Sequence, residues 1–132
     1  MQAKIFVNLP VADLTKAKVF YEAIGFINNP QFTDHTAAGM MYSDTILVML
    51  LTHDKFRSFT PKTITDTSIA CEVLNALQID DKDDINQIVE RALAAGGREL
   101  IPARDHGFMY ERGFDDLDGH YWNLFWMDPN SF

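Results

Sequence analysis

One cysteine, no apolar run of membrane-spanning length and few basic residues set the first limits on this chain. Cys71 stands alone among 132 residues, so no internal disulfide can form. Its apolar surroundings, Ile69-Ala70-Cys71, predict a buried structural thiol rather than a nucleophile. Eleven Lys and Arg face nineteen Asp and Glu, a formal net charge of −8 and a pI near 4.7. Nucleic-acid binding needs clustered cations that displace counterions from phosphate, and here the cations are scattered, so nucleic acid is excluded as a partner. An anionic membrane surface is disfavoured for the same reason, and no apolar segment approaches the roughly 20 residues of a spanning helix. The opening residues show no secretory pattern, which predicts a cytoplasmic protein. Also missing are His-Glu-x-x-His, Gly-x-Ser-x-Gly, paired cysteines and a phosphate-binding glycine loop.

What is present is the material of one ordinary globular domain, 47% hydrophobic and 23% charged. Residues 4–11 read as a strand, and Asp13 is a good cap for a helix carrying Leu14, Ala17, Phe20, Tyr21 and Ile24, stopped by Gly25. Three short strands follow, over 26–32, 35–42 and 45–51. The same order then returns. A strand over 69–79 leads to Asp80-Asp81, a helix with Ile85, Ile88, Val89, Ala92 and Leu93 on one face, and a stop at Gly96-Gly97. Strands over 98–101, 108–114 and 121–127 complete it, the last two joined by an Asp118-Gly119 turn. The junctions match as well, Leu9-Pro10-Val11-Ala12-Asp13 against Leu77-Gln78-Ile79-Asp80-Asp81. The chain is therefore an α+β protein of two βαβββ modules, module 1 about 1–52 and module 2 about 68–128. Residues 53–67 form a linker with Phe56, Phe59 and Ile64, either a packed loop or a lid.

The stretch from Gly107 to Leu124, with its Asp118-Gly119 turn before His120-Tyr121-Trp122-Asn123, resembles the final hairpin of the vicinal-oxygen-chelate superfamily of glyoxalases, bleomycin-resistance proteins and extradiol dioxygenases. The opening Val7-Asn8-Leu9-Pro10-Val11-Ala12-Asp13-Leu14, followed by Phe20-Tyr21 and Gly25-Phe26, is similar to that family's first strand and helix. The resemblance covers the whole chain. It implies a cupped mixed sheet with helices on the convex side and a pocket on the concave side. Metal-dependent members hold a divalent ion there through His and Glu at four matching strand positions. In this chain those positions fall at Phe6, Met49, Leu74 and Asn123, none a credible ligand for a hard or borderline ion. The resemblance thus implies a metal-free member with no cofactor, comparable to the antibiotic-binding branch.

Strand alternation assigns Phe6, Asn8, Leu47, Met49, Leu51, Leu74, Ala76, Gln78, Tyr121, Asn123 and Phe125 to the concave face. The opposite face takes Val7, Leu9, Val11, Leu77, Ile79, Trp122, Leu124 and Trp126. The concave set mixes apolar walls with neutral hydrogen-bonding groups, which is the make-up of a small-molecule site. The expected ligand-binding residues are Phe6, Asn8, Met49, Leu74, Gln78, Tyr121 and Asn123, and the expected ligand is small and aromatic or partly apolar. The bland alternative is that Asn8, Gln78 and Asn123 simply bond one another or water. His106 and Tyr110 are the weak catalytic candidates, His106 at the cavity mouth beside Tyr110 and oriented by Asp105. His120 caps the last hairpin.

Three readings remain open. The first is a metal-free small-molecule-binding protein. The second is a metal-dependent lyase or dioxygenase with atypical ligands such as His106 or Glu72, or a metal-free enzyme using His106 and Tyr110. The third is an interaction module with a vestigial cavity. The apolar stretch from Trp122 to Phe132 and the habit of the superfamily imply a homodimer.

Overall fold

The computed structural model describes residues 2–131; Phe132, counted above in the apolar C-terminal stretch, lies outside them. The chain divides between Asp66 and Thr67 into two compact units.

In the first unit β1 (Ile5–Val11) leads to α1 (Leu14–Ala23), then β2 (Ile27–Asn29), a 3₁₀ turn (Pro30–Phe32), β3 (Ala37–Met41) and β4 (Ile46–Thr52). The sheet order is β1-β4-β3-β2, with β1 parallel to β4 and the other pairs antiparallel. Asp13 caps α1 by accepting the Lys16 amide at 3.0 Å. Gly25 then takes φ +107, a conformation that favours glycine and lets the chain turn straight into β2. Ala17, Phe20, Tyr21 and Ile24 cover one face of this sheet, where Leu9, Val11, Met40, Val48 and Leu50 are buried. On the other face Phe32 folds back onto Phe6, ring centroids 6.2 Å apart and edge to face. Gly39 makes that possible, because a side chain there would collide with Phe32. The linker expected over 53–67 opens as a short helix, α2 (His53–Arg57), capped by Thr52.

The second unit repeats the plan. β5 (Leu74–Gln78), α3 (Lys82–Ala94), β6 (Arg104–Asp105), β7 (Met109–Asp115) and β8 (Tyr121–Met127) give the sheet order β5-β8-β7-β6, with β5 parallel to β8. Asp81 caps α3 through the Asp83 amide at 2.8 Å. Ile85, Val89 and Ala92 are buried on α3, and Trp122 and Leu124 are buried on the face it covers, as strand alternation requires.

Three local expectations differ from the structure. The strand expected over 69–79 begins only at Leu74, because residues 69–73 have no strand partner. Cys71 and Ile69 are consequently exposed, so Cys71 is not the buried thiol that its apolar neighbours predict. The strand expected over 98–101 is a single bridge, Arg98 with Asp115, and the edge strand forms later at Arg104–Asp105. Propensity was sufficient in both places, and pairing decided.

Among the described residues no helix is long and apolar enough to cross a membrane.

Candidate functional site

The site forms on the face of the second sheet opposite α3. Its geometry starts at the last hairpin. Asp116 accepts the amides of Asp118 and His120 at 2.9 Å each, so the chain reverses tightly at Asp118-Gly119. Gly119 has φ +86 and lies against the Thr67 carbonyl, while the Thr67 hydroxyl donates to the Asp118 carbonyl. The hairpin thereby fixes two things at once: the segment from Thr67 at the rim, and the β7–β8 register that sets Gly113 opposite Asn123 and Asp115 opposite Tyr121. Parallel pairing places Leu74 beside Tyr121 and Ala76 beside Asn123, and the edge strand places Arg104 beside Glu111. With a period of two, all these side chains share one face.

Together with Ile69, Leu100 and Ile101 they enclose a cavity of about 660 Å³. That volume is within the range of small-molecule sites, about 300–1,000 Å³. Leu74 is 69% exposed and Ile69 84% exposed, so large apolar side chains face open space here.

Glu111 is the hub of the polar floor. Its carboxylate accepts Arg104 at 2.8 Å and Asn123 at 3.1 Å, and faces the His106 ring at 3.1 Å. Burial pushes the Glu111 carboxyl up, but the hydrogen bonds from Asn123, His106 and Arg104, with the Arg104 charge, outweigh it and hold the group below its ordinary range. Next along β7, a Cβ at Gly113 would collide with the Tyr121 hydroxyl and the Trp122 carbonyl, so the glycine is what lets the phenol lie flat over the strand. Among the described residues that hydroxyl is buried without a well-formed hydrogen bond, the neighbouring Asn123 amide being directed to Glu111. Burial pushes the Tyr121 phenol up, so it stays protonated; the adjacent Asn123 pulls it back only in part. Asp115 is 5% exposed, and burial pushes its carboxyl up against the pull of Arg98 and His120.

Of the residues expected to bind ligand, Leu74, Tyr121 and Asn123 meet in this cavity. Phe6, Asn8 and Met49 belong to the first unit, on the face of its sheet carrying Phe32, and Asn8 donates to the Phe6 carbonyl at 3.1 Å. Gln78 lines a separate hollow of about 460 Å³ beside Trp126. His106 and Tyr110 do not form the expected pair. Successive strand residues point to opposite faces, and Tyr110 donates to Asn86 of α3 at 2.7 Å. Nor does Asp105 orient His106: it accepts the Gly107 amide at 2.9 Å, and Glu111 takes the ring instead.

The charged lining, Arg98, Arg104, Glu111 and Asp115, was absent from the expected set. Counting back from the Asp118-Gly119 turn would have placed Glu111 and Asp115 on the face of Asn123. Arg98, in a single bridge, and Arg104, in a two-residue edge strand, carry no periodic signal.

The comparisons with known structures bear on this architecture. A hypothetical protein from S. aureus is 28% identical with a TM-score of 0.78, covering 95% of this chain and 94% of its own. A glyoxalase-related enzyme from Fulvimarina pelagi is 20% identical at a TM-score of 0.79, covering 96% of this chain and 88% of its own. A glyoxalase/bleomycin resistance protein/dioxygenase family enzyme from Burkholderia phytofirmans PsJN is 16% identical at 0.76, covering 92% and 96%. This chain has the vicinal-oxygen-chelate fold. No protein-family model and no curated protein matches the sequence.

Within the vicinal-oxygen-chelate fold, the donor set decides whether a divalent ion fits. The four positions matched to metal ligands hold Phe6, Met49, Leu74 and Asn123, of which only Asn123 offers an oxygen, a single neutral carbonyl. Among the described residues no three His, Cys, Asp or Glu side chains converge. Glu111 and His106 are two donors already committed to each other and to Arg104. Glu72, the other atypical ligand considered, is exposed and outside any such group. The residues present do not fit the ion.

Proposed function

We propose that this protein binds a small, partly apolar molecule in the cavity of its second unit, without a metal or other cofactor. One observation carries the reading: about 660 Å³ is walled by exposed aliphatic side chains and floored by Glu111, Asn123 and Tyr121 in fixed relation to one another. Apolar walls supply affinity through buried area, and a few placed polar groups supply orientation. Nothing on that floor is arranged as a nucleophile with its base. Glu111 is held as a carboxylate by three neighbours, which suits it to positioning rather than to proton abstraction near neutral pH. The metal-dependent lyase or dioxygenase reading lacks a third converging donor among the described residues. The proposal carries with it a cytoplasmic protein that forms a homodimer, the latter tested by sedimentation equilibrium.

A thermal-shift screen of small apolar and aromatic compounds tests the cavity. Ala76→Trp changes a solvent-exposed side chain on the cavity wall and fills the space without touching the core. Compounds that raise the melting temperature of the native protein and not of Ala76→Trp support the reading. Compounds that stabilise both equally contradict it.

A further inference from the structure

The charges lining the cavity are unequal in what they leave unsatisfied. Arg104 is paired with Glu111 at 2.8 Å. Glu111 is engaged in turn, since Arg104 and Asn123 meet one of its oxygens and His106 the other, and only 13% of its side chain is exposed. Asp115 is 5% exposed and so presents almost nothing to an incoming molecule. Arg98 alone is exposed and makes no ion pair among the described residues.

Arg98 is also held in place. Its amide donates to the Asp115 carbonyl at 3.1 Å, and its carbonyl accepts the Asp115 amide at 2.7 Å. A main chain pinned at both groups fixes where the side chain starts, so less freedom is lost when the guanidinium engages a partner. Two residues later Leu100 is 56% exposed, and Leu74 and Ile69 supply the rest of an aliphatic wall.

A cationic ligand would compete with Arg104 and His106 for a largely covered Glu111 carboxylate. An anionic ligand breaks neither contact and shares the Arg98 charge with Asp115, which is buried behind it. We infer that the cavity takes an organic monoanion, an aliphatic or aryl body carrying one carboxylate, with the carboxylate on the Arg98 guanidinium and the body against Leu74, Leu100 and Ile69. The inference rests on the proposed binding function and assigns its ligand class. The fork geometry of a guanidinium matches a carboxylate with two parallel hydrogen bonds. The net charge of −8 slows approach of an anion but is screened beyond about 8 Å at physiological ionic strength.

Calorimetric titration of octanoate, octanamide and octylamine at pH 7 tests this, because the three share one body and differ in head-group charge. Octanoate binds at least about tenfold more tightly than octanamide, a difference of about 1.4 kcal/mol, and octylamine more weakly still. Arg98→Gln abolishes the preference, so that octanoate and octanamide bind equally, while Arg98→Lys recovers part of it. Circular dichroism confirms that each variant is folded. If octanamide or octylamine matches octanoate, or if Arg98→Gln keeps the preference, the monoanion assignment fails while the cavity stands as a binding site. If none of the three binds but screened neutral compounds do, the assignment fails in the same way. If nothing binds in either experiment, the binding function falls and the assignment with it.

Discussion

The side-chain amide of Asn123 donates to the Glu111 carboxylate at 3.1 Å, diagonally across β7 and β8. A position matched to a carboxylate ligand is therefore a donor here, neutralising part of a neighbouring carboxylate's need. Asn123→Asp replaces the donor by a like charge against a partly buried carboxylate. Chemical denaturation at pH 7 is expected to show a loss of about 1–3 kcal/mol. An unchanged midpoint would mean that the contact contributes nothing.

Acid should act on the two carboxylates of this strand in opposite senses. Glu111 titrates below its ordinary value of 4.5 in the folded chain, so its stabilising contribution is present above 4.5 and is lost as pH falls through the folded pKa. Asp115 titrates above its ordinary 3.8, so its charge opposes folding at neutral pH, and that opposition is relieved as pH falls through the raised pKa. Urea midpoints between pH 7 and pH 3.5 check both signs. Glu111→Gln is less stable than the parent at pH 7, and Asp115→Asn is at least as stable. Both differences shrink toward acid; constant offsets would contradict the assignments.

On the covered face of the same strand, Arg112 gathers Glu99 at 2.7 and 3.2 Å, Glu90 at 2.7 Å and Asn86 at 3.2 Å. This fork ties β7 to α3 and to the loop after it, and its carboxylates, Glu99 first, hold the guanidinium proton more firmly than in a free arginine. Arg112→Met strands Glu99, of which 22% is exposed, and is expected to cost about 2–4 kcal/mol, with Arg112→Lys recovering less than half. Full recovery by Arg112→Lys, or unchanged stability of Arg112→Met, would refute a role for the fork.

Incubation with Zn²⁺, Ni²⁺, Mn²⁺ or Fe²⁺, desalting and elemental analysis should leave well under one equivalent bound. Near-stoichiometric retention would overturn the reading of Phe6, Met49, Leu74 and Asn123.

The fold was legible because its signals are local and repeated: Asp13 and Asp81 as caps, Gly25 as a stop, and alternation in β1, β4 and β8 that put Trp122 and Leu124 in the core. Within the second sheet, strand parity was enough to bring Leu74, Tyr121 and Asn123 to one face, whereas nothing local in the sequence reveals that Phe32 folds back onto Phe6 in the first. Arg98 and Arg104 enter through a single bridge and a two-residue edge strand, both set by long-range pairing with β7. Tyr110 was placed one residue out of phase: its neighbour Glu111, not Tyr110, faces His106.

The central claim is that a ligand occupies the cavity of the second unit. Amide chemical-shift mapping with the tightest compound from the screen reads that claim directly. The account predicts perturbations at Thr67–Cys71, Arg98–Ile101 and Tyr121–Asn123. Shifts confined to the first unit, or none at saturating compound, would contradict it.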